Sequence, residues 1–196
     1  MSDSFRDARF NRHYRRIELG LRLLAHGARP QTASDWSGLT PDRLVTLKRR
    51  WMPDANSGFR GPAPTSFQPF FRSSLRAQHA AIFASLHRAV ALQPTGSNEP
   101  NRKIARSLDD GERLCEAFEI CKEWEPDSSL EFDQAVLLAC GIARSEELEL
   151  ARCSTCSCAL LIDKLALVQD KCDRCRRQAR RNSVHRGRTS PHSVSH

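Results

Sequence analysis

Apolar residues recur at helical spacing along most of this chain. Ile17, Leu21, Leu24 and Ala25 fall at i, i+4, i+7 and i+8, which predicts a helix over residues 5–27 that Gly27 ends. Residues 30–37 predict a short second helix that opens with Pro30 and turns Trp36 inward. Gly38 and Leu39 then read as a turn with an apolar anchor. Thr40, Pro41 and Asp42 supply a cap, a first-position proline and a first-turn carboxylate. The helix they open should run to Trp51 and stop before Pro53. On its wheel Leu44, Leu47 and Trp51 face one way, and Arg43, Thr46, Arg49 and Arg50 face the other.

Residues 53–69 hold Pro53, Gly58, Gly61, Pro62, Pro64 and Pro69 and predict a linker. Phe59, Phe67, Phe70 and Phe71 within or beside it are expected to dock on a core. A long helix follows over 70–92, with Leu75, His79, Ile82, Phe83, Leu86 and Val90 on its apolar side and His79 as a core histidine. After a break at 94–101, residues 102–124 predict an acidic amphipathic helix carrying Ile104, Leu108, Phe118 and Ile120. Residues 130–143 predict another, with Phe132, Val136, Leu137 and Leu138. Glu146, Glu147 and Glu149 read as a solvated helix face. Leu160–Ile162 and Leu165–Val168 predict two short strands, or a strand and a helical turn. Beyond Cys175 apolar residues are few, and disorder is expected.

The fold class is therefore mainly α-helical, with a small cysteine module near the C-terminus. Four segments are expected: a basic helix-turn-helix-like region at 1–60, a helical core at 61–150, a metal module at 151–178 and a disordered basic tail at 179–196.

The module rests on Cys153-Ser-Thr-Cys156 and, fifteen residues later, Cys172-Asp-Arg-Cys175. This C-x2-C…C-x2-C spacing suits a tetrahedral four-thiolate zinc site, one Zn2+ per chain. Four protein ligands leave no position for water, so such a site is structural. Disulfides or a redox pair are the alternatives. Residues 1–20 are polar and arginine-rich with no apolar run, which predicts a cytoplasmic protein in which disulfides are rare. No stretch approaches a membrane span. Cys158 competes with Cys156 as a ligand, although Cys156 makes the two pairs match. Cys115, Cys121 and Cys140 lack ligand spacing and are expected to be buried thiols.

Charge is segregated within a formal net of +8: residues 1–60 carry +6, residues 61–170 carry −5 and residues 171–196 carry +7. Basic ends suggest a polyanion partner and the acidic middle a protein partner. A four-thiolate zinc carries net −2, which Arg152, Lys171, Arg174, Arg176 and Arg177 would offset. Arg180, Arg181, Arg186 and Arg188 lie beyond that need. Helix, short helix, glycine turn and capped basic helix form the layout of a helix-turn-helix. Arg43, Thr46, Lys48, Arg49 and Arg50 are then the candidate DNA contacts, arginines to guanine edges and the other cations to phosphates. An ordinary amphipathic helix with a solvated basic face explains the same residues. G-x-x-x-x-G-K, H-E-x-x-H and G-x-S-x-G are all missing, and no enzyme is expected.

Leu24-Ala-His-Gly-Ala-Arg29, Gly38-Leu-Thr-Pro-Asp-Arg-Leu44, Leu47-Lys48 and Gln78-His-Ala-Ala-Ile-Phe83, followed by the two cysteine pairs, make the chain resemble FlhC over about residues 17–176. FlhC is the C subunit of the FlhD/FlhC flagellar transcriptional activator of bacteria. The resemblance implies a cytoplasmic DNA-binding activator subunit that joins an FlhD-like subunit, binds promoter DNA and recruits RNA polymerase. It also implies zinc on Cys153, Cys156, Cys172 and Cys175. Cys158, the N-terminal extension and the arginine-rich tail depart from the family pattern. A zinc-knuckle protein adaptor and an RNA-binding protein acting through the tail are the other two functions the sequence allows.

Overall fold

The computed structural model describes residues 2–53, 62–91, 106–166 and 170–187. These form eight helices and one two-stranded hairpin: α1 (Ser2–Ala25), α2 (Pro30–Ser37), α3 (Pro41–Trp51), α4 (Gln68–Phe71), α5 (Ser74–Ala91), α6 (Leu108–Trp124), α7 (Phe132–Arg144), β1 (Leu148–Arg152), β2 (Ala159–Asp163) and α8 (Asp173–Gly187). The mainly helical class with a late cysteine cluster is as the sequence predicts. Phe59, Ile104, Leu167, Val168 and the expected break at 94–101 lie outside the described residues, as do residues 188–196.

The apolar stripe of α1 is rotated from the predicted one. Leu19, Leu23 and Leu24 are buried, Ile17 and Leu21 are half-buried and Ala25 is exposed. Helix α1 needs this narrower face because two helices press close on it. A Cβ on Gly20 would lie 2.7 Å from the Leu44 side chain of α3. A Cβ on Gly111 of α6 would lie 2.8 Å from the Leu19 side chain. Both contacts are tighter than a side chain allows, so each glycine lets a neighbour close over the Leu19–Leu23 face.

Helices α1 and α6 run side by side in the same direction. Arg15 pairs with Glu112 and Arg22 with Glu119, both at a separation of 97 residues. Arg15 also reaches Asp109 at 2.6 Å. Arg15 and Arg22 of α1 are thus answered by the acidic α6 within the molecule. Arg22 Nε and Nη2 grip the Glu119 carboxylate at 2.7 and 2.5 Å, and His26 Nε2 lies 2.7 Å from it. The seam ends at Arg29, in the turn before α2, whose guanidinium pairs with the buried Asp133 of α7. The Arg29 backbone N–H groups with it at 3.4 Å.

Helix α5 packs on α4, α6, α7 and both strands. Its buried side is His79, Ala80, Ala81, Phe83 and Ala84, whereas Leu75 is 60% exposed, contrary to the predicted stripe. The first turn of α5 projects past the core, and apolar spacing alone does not reveal where a core ends. His79 is buried as predicted, with Nδ1 unpartnered. Phe70 is buried, and Phe67 and Phe71 pack on the core, so these three aromatics do dock the proline-rich segment. Cys115 and Cys121 are buried free thiols and Cys140 is half-buried. Burial pushes the Cys115 thiol up to about 12. No helix among the described residues is long and apolar enough to cross a membrane.

The strands also correct the sequence reading. Glu146 and Glu147 lie in the turn after α7, and Glu149 lies in β1. The first strand therefore precedes the first cysteine pair. The alternation Leu148, Leu150 signals it, with Leu148 fully buried. Strand β2 supplies Leu161, buried on the same core. Helix α8 replaces the disorder expected for residues 179–187.

Two predictions follow from the seam. Replacing Asp133 with Ala leaves the Arg29 guanidinium, only 18% exposed, without its counter-charge. The cost should be about 3–5 kcal/mol, read as a lower urea midpoint with an unchanged slope. Arg22 first, and then His26, hold the Glu119 carboxyl below its usual range. Its stabilisation is therefore present above the ordinary carboxylate pKa and is lost as pH falls through the depressed folded value. Glu119→Gln should flatten the acid limb of stability against pH below the ordinary glutamate pKa of about 4.3, as followed by thermal melts.

Candidate metal centre

The antiparallel hairpin pairs Leu148 with Asp163 and ends at the pair Arg152–Ala159. The six-residue loop between holds Cys153, Cys156 and Cys158. It is closed by the Cys153 N–H donating to the Cys158 carbonyl at 2.9 Å and by the Ser157 N–H donating to the Cys153 carbonyl at 2.9 Å. Ser157 takes φ 58°, the left-handed conformation that glycine usually provides in such a knuckle. The loop thereby presents Cys153 and Cys156 from a single turn.

The second pair stands at the start of α8. The Cys172 carbonyl accepts from the Arg176 N–H at 3.0 Å, forming the first turn. Asp170 draws this segment to the loop: its carbonyl accepts from the Ser154 N–H at 2.8 Å and its carboxylate from the Ser154 hydroxyl at 3.0 Å. The four sulfurs of Cys153, Cys156, Cys172 and Cys175 then lie within 4.8 Å of one another. The Cys156 and Cys172 sulfurs are 3.6 Å apart. A tetrahedron with metal–sulfur bonds of about 2.3 Å has edges of about 3.8 Å, so the cluster has the size a metal requires. All eight cysteines are free thiols in this structure.

Backbone amides prepare the sulfurs for thiolate chemistry. The Cys172 N–H points at Cys153 Sγ at 3.3 Å, and the Cys175 N–H at Cys172 Sγ at 3.4 Å. The Cys172 amide is the largest influence that brings the Cys153 thiol down to about 6, helped by the amides of Cys156 and Thr155. Cys158 and Cys175 behave in the opposite way. Desolvation, then hydrogen bonds to the Cys156 and Cys172 sulfurs, push the Cys158 thiol up to about 12. Hydrogen bonds to the Cys172 and Cys156 sulfurs push the Cys175 thiol up to about 12 as well, so this contrast does not separate Cys158 from the converging four. The converging set contains Cys156 and leaves Cys158 as a neighbour. Four thiolates in a tetrahedral arrangement suit a soft or borderline ion and leave no ligand position for substrate.

The second set of sequence-predicted residues lies on α3. Arg43, Thr46, Arg49 and Arg50 are exposed and Lys48 is half-buried, opposite the fully buried Leu44. Thr40 occupies the cap position with extended backbone, but its hydroxyl makes no capping bond; its carbonyl accepts from the Leu44 N–H at 3.1 Å. Gly38 makes the turn before it at φ 70°. Helices α1, α2 and α3 pack on one another as a three-helix unit. Trp51 was assigned to the core face and is instead 65% exposed. It is the last helical residue, past the end of the α1 and α2 surfaces that cover Leu44. Arg43 Nη2 lies 3.0 Å from His13 Nε2, and the Thr46 hydroxyl donates to the Asp42 carbonyl at 2.9 Å.

Sequence reasoning missed the Arg15, Arg22 and Arg29 seam, whose signal is a spacing of seven residues shared by Glu112 and Glu119. It also missed α8, which has no apolar periodicity to announce it. No protein-family model matches the chain, and no curated protein matches it either.

Metal analysis of the purified chain should give one ion per molecule. Cys153→Ser and Cys172→Ser should each lose the ion together with helical signal, while Cys158→Ser should keep both. Retention of the ion in Cys156→Ser with loss in Cys158→Ser would overturn this ligand set.

Proposed function

We propose that this chain is a zinc-containing, DNA-binding subunit of a bacterial transcription activator of the FlhC type. The observation that carries the proposal is the exposed basic face of α3, anchored through Leu44 on α1 and α2. In a helix-turn-helix the last helix enters the major groove with its outward side chains on base edges and phosphates. Arg43, Arg49 and Arg50 are the proposed base readers or phosphate clamps, with Thr46 and Lys48 beside them. The four-thiolate cluster is the proposed structural zinc site.

An FlhD-like subunit and RNA polymerase are the proposed partners, and the cytoplasm the proposed compartment. Phe10 and Tyr14, stacked with centroids 6.5 Å apart and both exposed on α1, offer an aromatic surface to the subunit partner. The adaptor alternative relies on acidic helices that bind a basic partner. It is less well supported, because Asp109, Glu112 and Glu119 of α6 already engage Arg15 and Arg22.

Co-expression with an FlhD-like subunit and footprinting on flagellar-type promoter DNA would test the reading. Arg43→Ala or Arg50→Ala should weaken specific binding by about 1–3 kcal/mol where the side chain reads a base. An unchanged footprint and affinity in both variants would remove α3 from the reader role.

A further inference from the structure

Helix α8 presents a problem that the α3 reading leaves unsolved. Residues Gln178 to Asn182 are exposed all round the helix, so no apolar face holds them in place. Arg176 and Arg180, and Arg177 and Arg181, are like charges at i, i+4, which oppose helix formation. Asp173 answers part of this charge, pairing with Arg176 at 2.9 Å and with Arg177 at 2.5 Å. Isolated helices of this length are marginal in water even with favourable sequences. Two features supply what the sequence lacks. The first turn is fixed by Cys172 and Cys175, which are tied into the thiolate cluster. The remaining charge fits a polyanion laid along the helix.

The spacing identifies the face. Arg174, Arg177 and Arg181 recur at i, i+3 and i+7, and all three are exposed. The fifteen-residue helix is about 22 Å long. The B-DNA major groove admits an α-helix, whereas the A-form RNA major groove is too narrow to be entered. Single-strand binders stack bases on aromatic rings. Helix α8 carries no Phe, Tyr or Trp. Of the nucleic acids, duplex DNA is the one that its shape and composition fit.

We infer that α8 is a second duplex-DNA surface, separate from α3: an arginine helix started by the cysteine cluster and lying in the major groove with its arginines on the flanking phosphates. Its contacts are to phosphates and carry no sequence preference of their own. Metal binding and DNA binding are linked through it, because loss of the ion removes the fixed first turn.

The test uses the full metal-loaded chain, a 30-bp DNA duplex of arbitrary sequence (~30 bp spans roughly three helical turns) and an RNA duplex of equal length. Affinity is measured against salt. The double variant Arg174→Gln, Arg181→Gln keeps good helix formers and should lower the salt slope on DNA by about 1.8, from ~0.9 per phosphate contact. The variant Arg174→Lys, Arg181→Lys should keep the slope. Chelation should lower both the 222 nm helical signal and the slope. The inference is overturned by an unchanged slope in the glutamine variant with helicity retained, by tighter binding to RNA than to DNA, by no binding to either duplex, or by a slope indifferent to chelation. Arg43→Ala with Arg50→Ala, measured on flagellar-type promoter DNA, reports separately on α3. Loss there beside an unaltered α8 variant leaves the α3 reading standing and this one refuted.

Discussion

The contact between α1 and α6 is the constraint on which the other parts depend. It combines two effects that are weak alone. Gly111 lets α6 approach the Leu19 side chain closely, and Arg15 and Arg22 then meet Glu112 and Glu119 along the edge of that contact. The apolar contact supplies most of the free energy, since ion pairs this exposed contribute little by themselves. The charges help fix register: the parallel arrangement with its constant offset satisfies both pairs. With α6 fixed on one side and α3 on the other at Gly20, α1 determines how the three-helix unit sits on the rest of the core.

This packing also decides which cations remain for a partner. A net charge read from sequence treats every arginine alike. In the folded chain Arg15, Arg22 and Arg29 have carboxylate partners, whereas Arg43, Arg49 and Arg50 of α3 and Arg174 and Arg181 of α8 are exposed. The acidic middle block is likewise partly spent on α1. Two basic surfaces survive, and they are held by different means. Leu44, buried among α1, α2 and α3, anchors one. The cysteine cluster starts the other, behind a hairpin that Leu148 and Leu161 fasten to the core.

Much of this was legible in the sequence, and the failures have physical reasons. Periodicity located α1, α2, α3, α5, α6 and α7 because each buries a face. The cysteine spacing located the four-cysteine cluster, because two thiolates two residues apart can face one ion from a single turn, and that cluster contains Cys156 and not Cys158. Trp51 and Leu75 were misplaced because apolar spacing says which side of a helix is apolar, not how far the core extends beneath it. Strand β1 was hidden beside Glu146 and Glu147, whose charges resemble a solvated helix face. Helix α8 was invisible to any pattern of burial, since it starts from ligand geometry and not from packing.

The fixed offset of the α1–α6 pairs has a consequence for how such a chain can change over time. Losing Arg22 alone leaves Glu119 with only His26 beside it, and losing Glu119 alone strands Arg22. Drift at these positions is therefore channelled into paired substitutions, charge reversals or joint neutralisation, at sites 97 residues apart. Gly20 and Gly111 are held differently: each is constrained by the bulk of a neighbour, so a shorter side chain at position 44 or 19 would have to come first. The order in which mutations can accumulate is thus written into the seam, and divergent descendants should carry its geometry in correlated residues long after their surface arginines have been replaced.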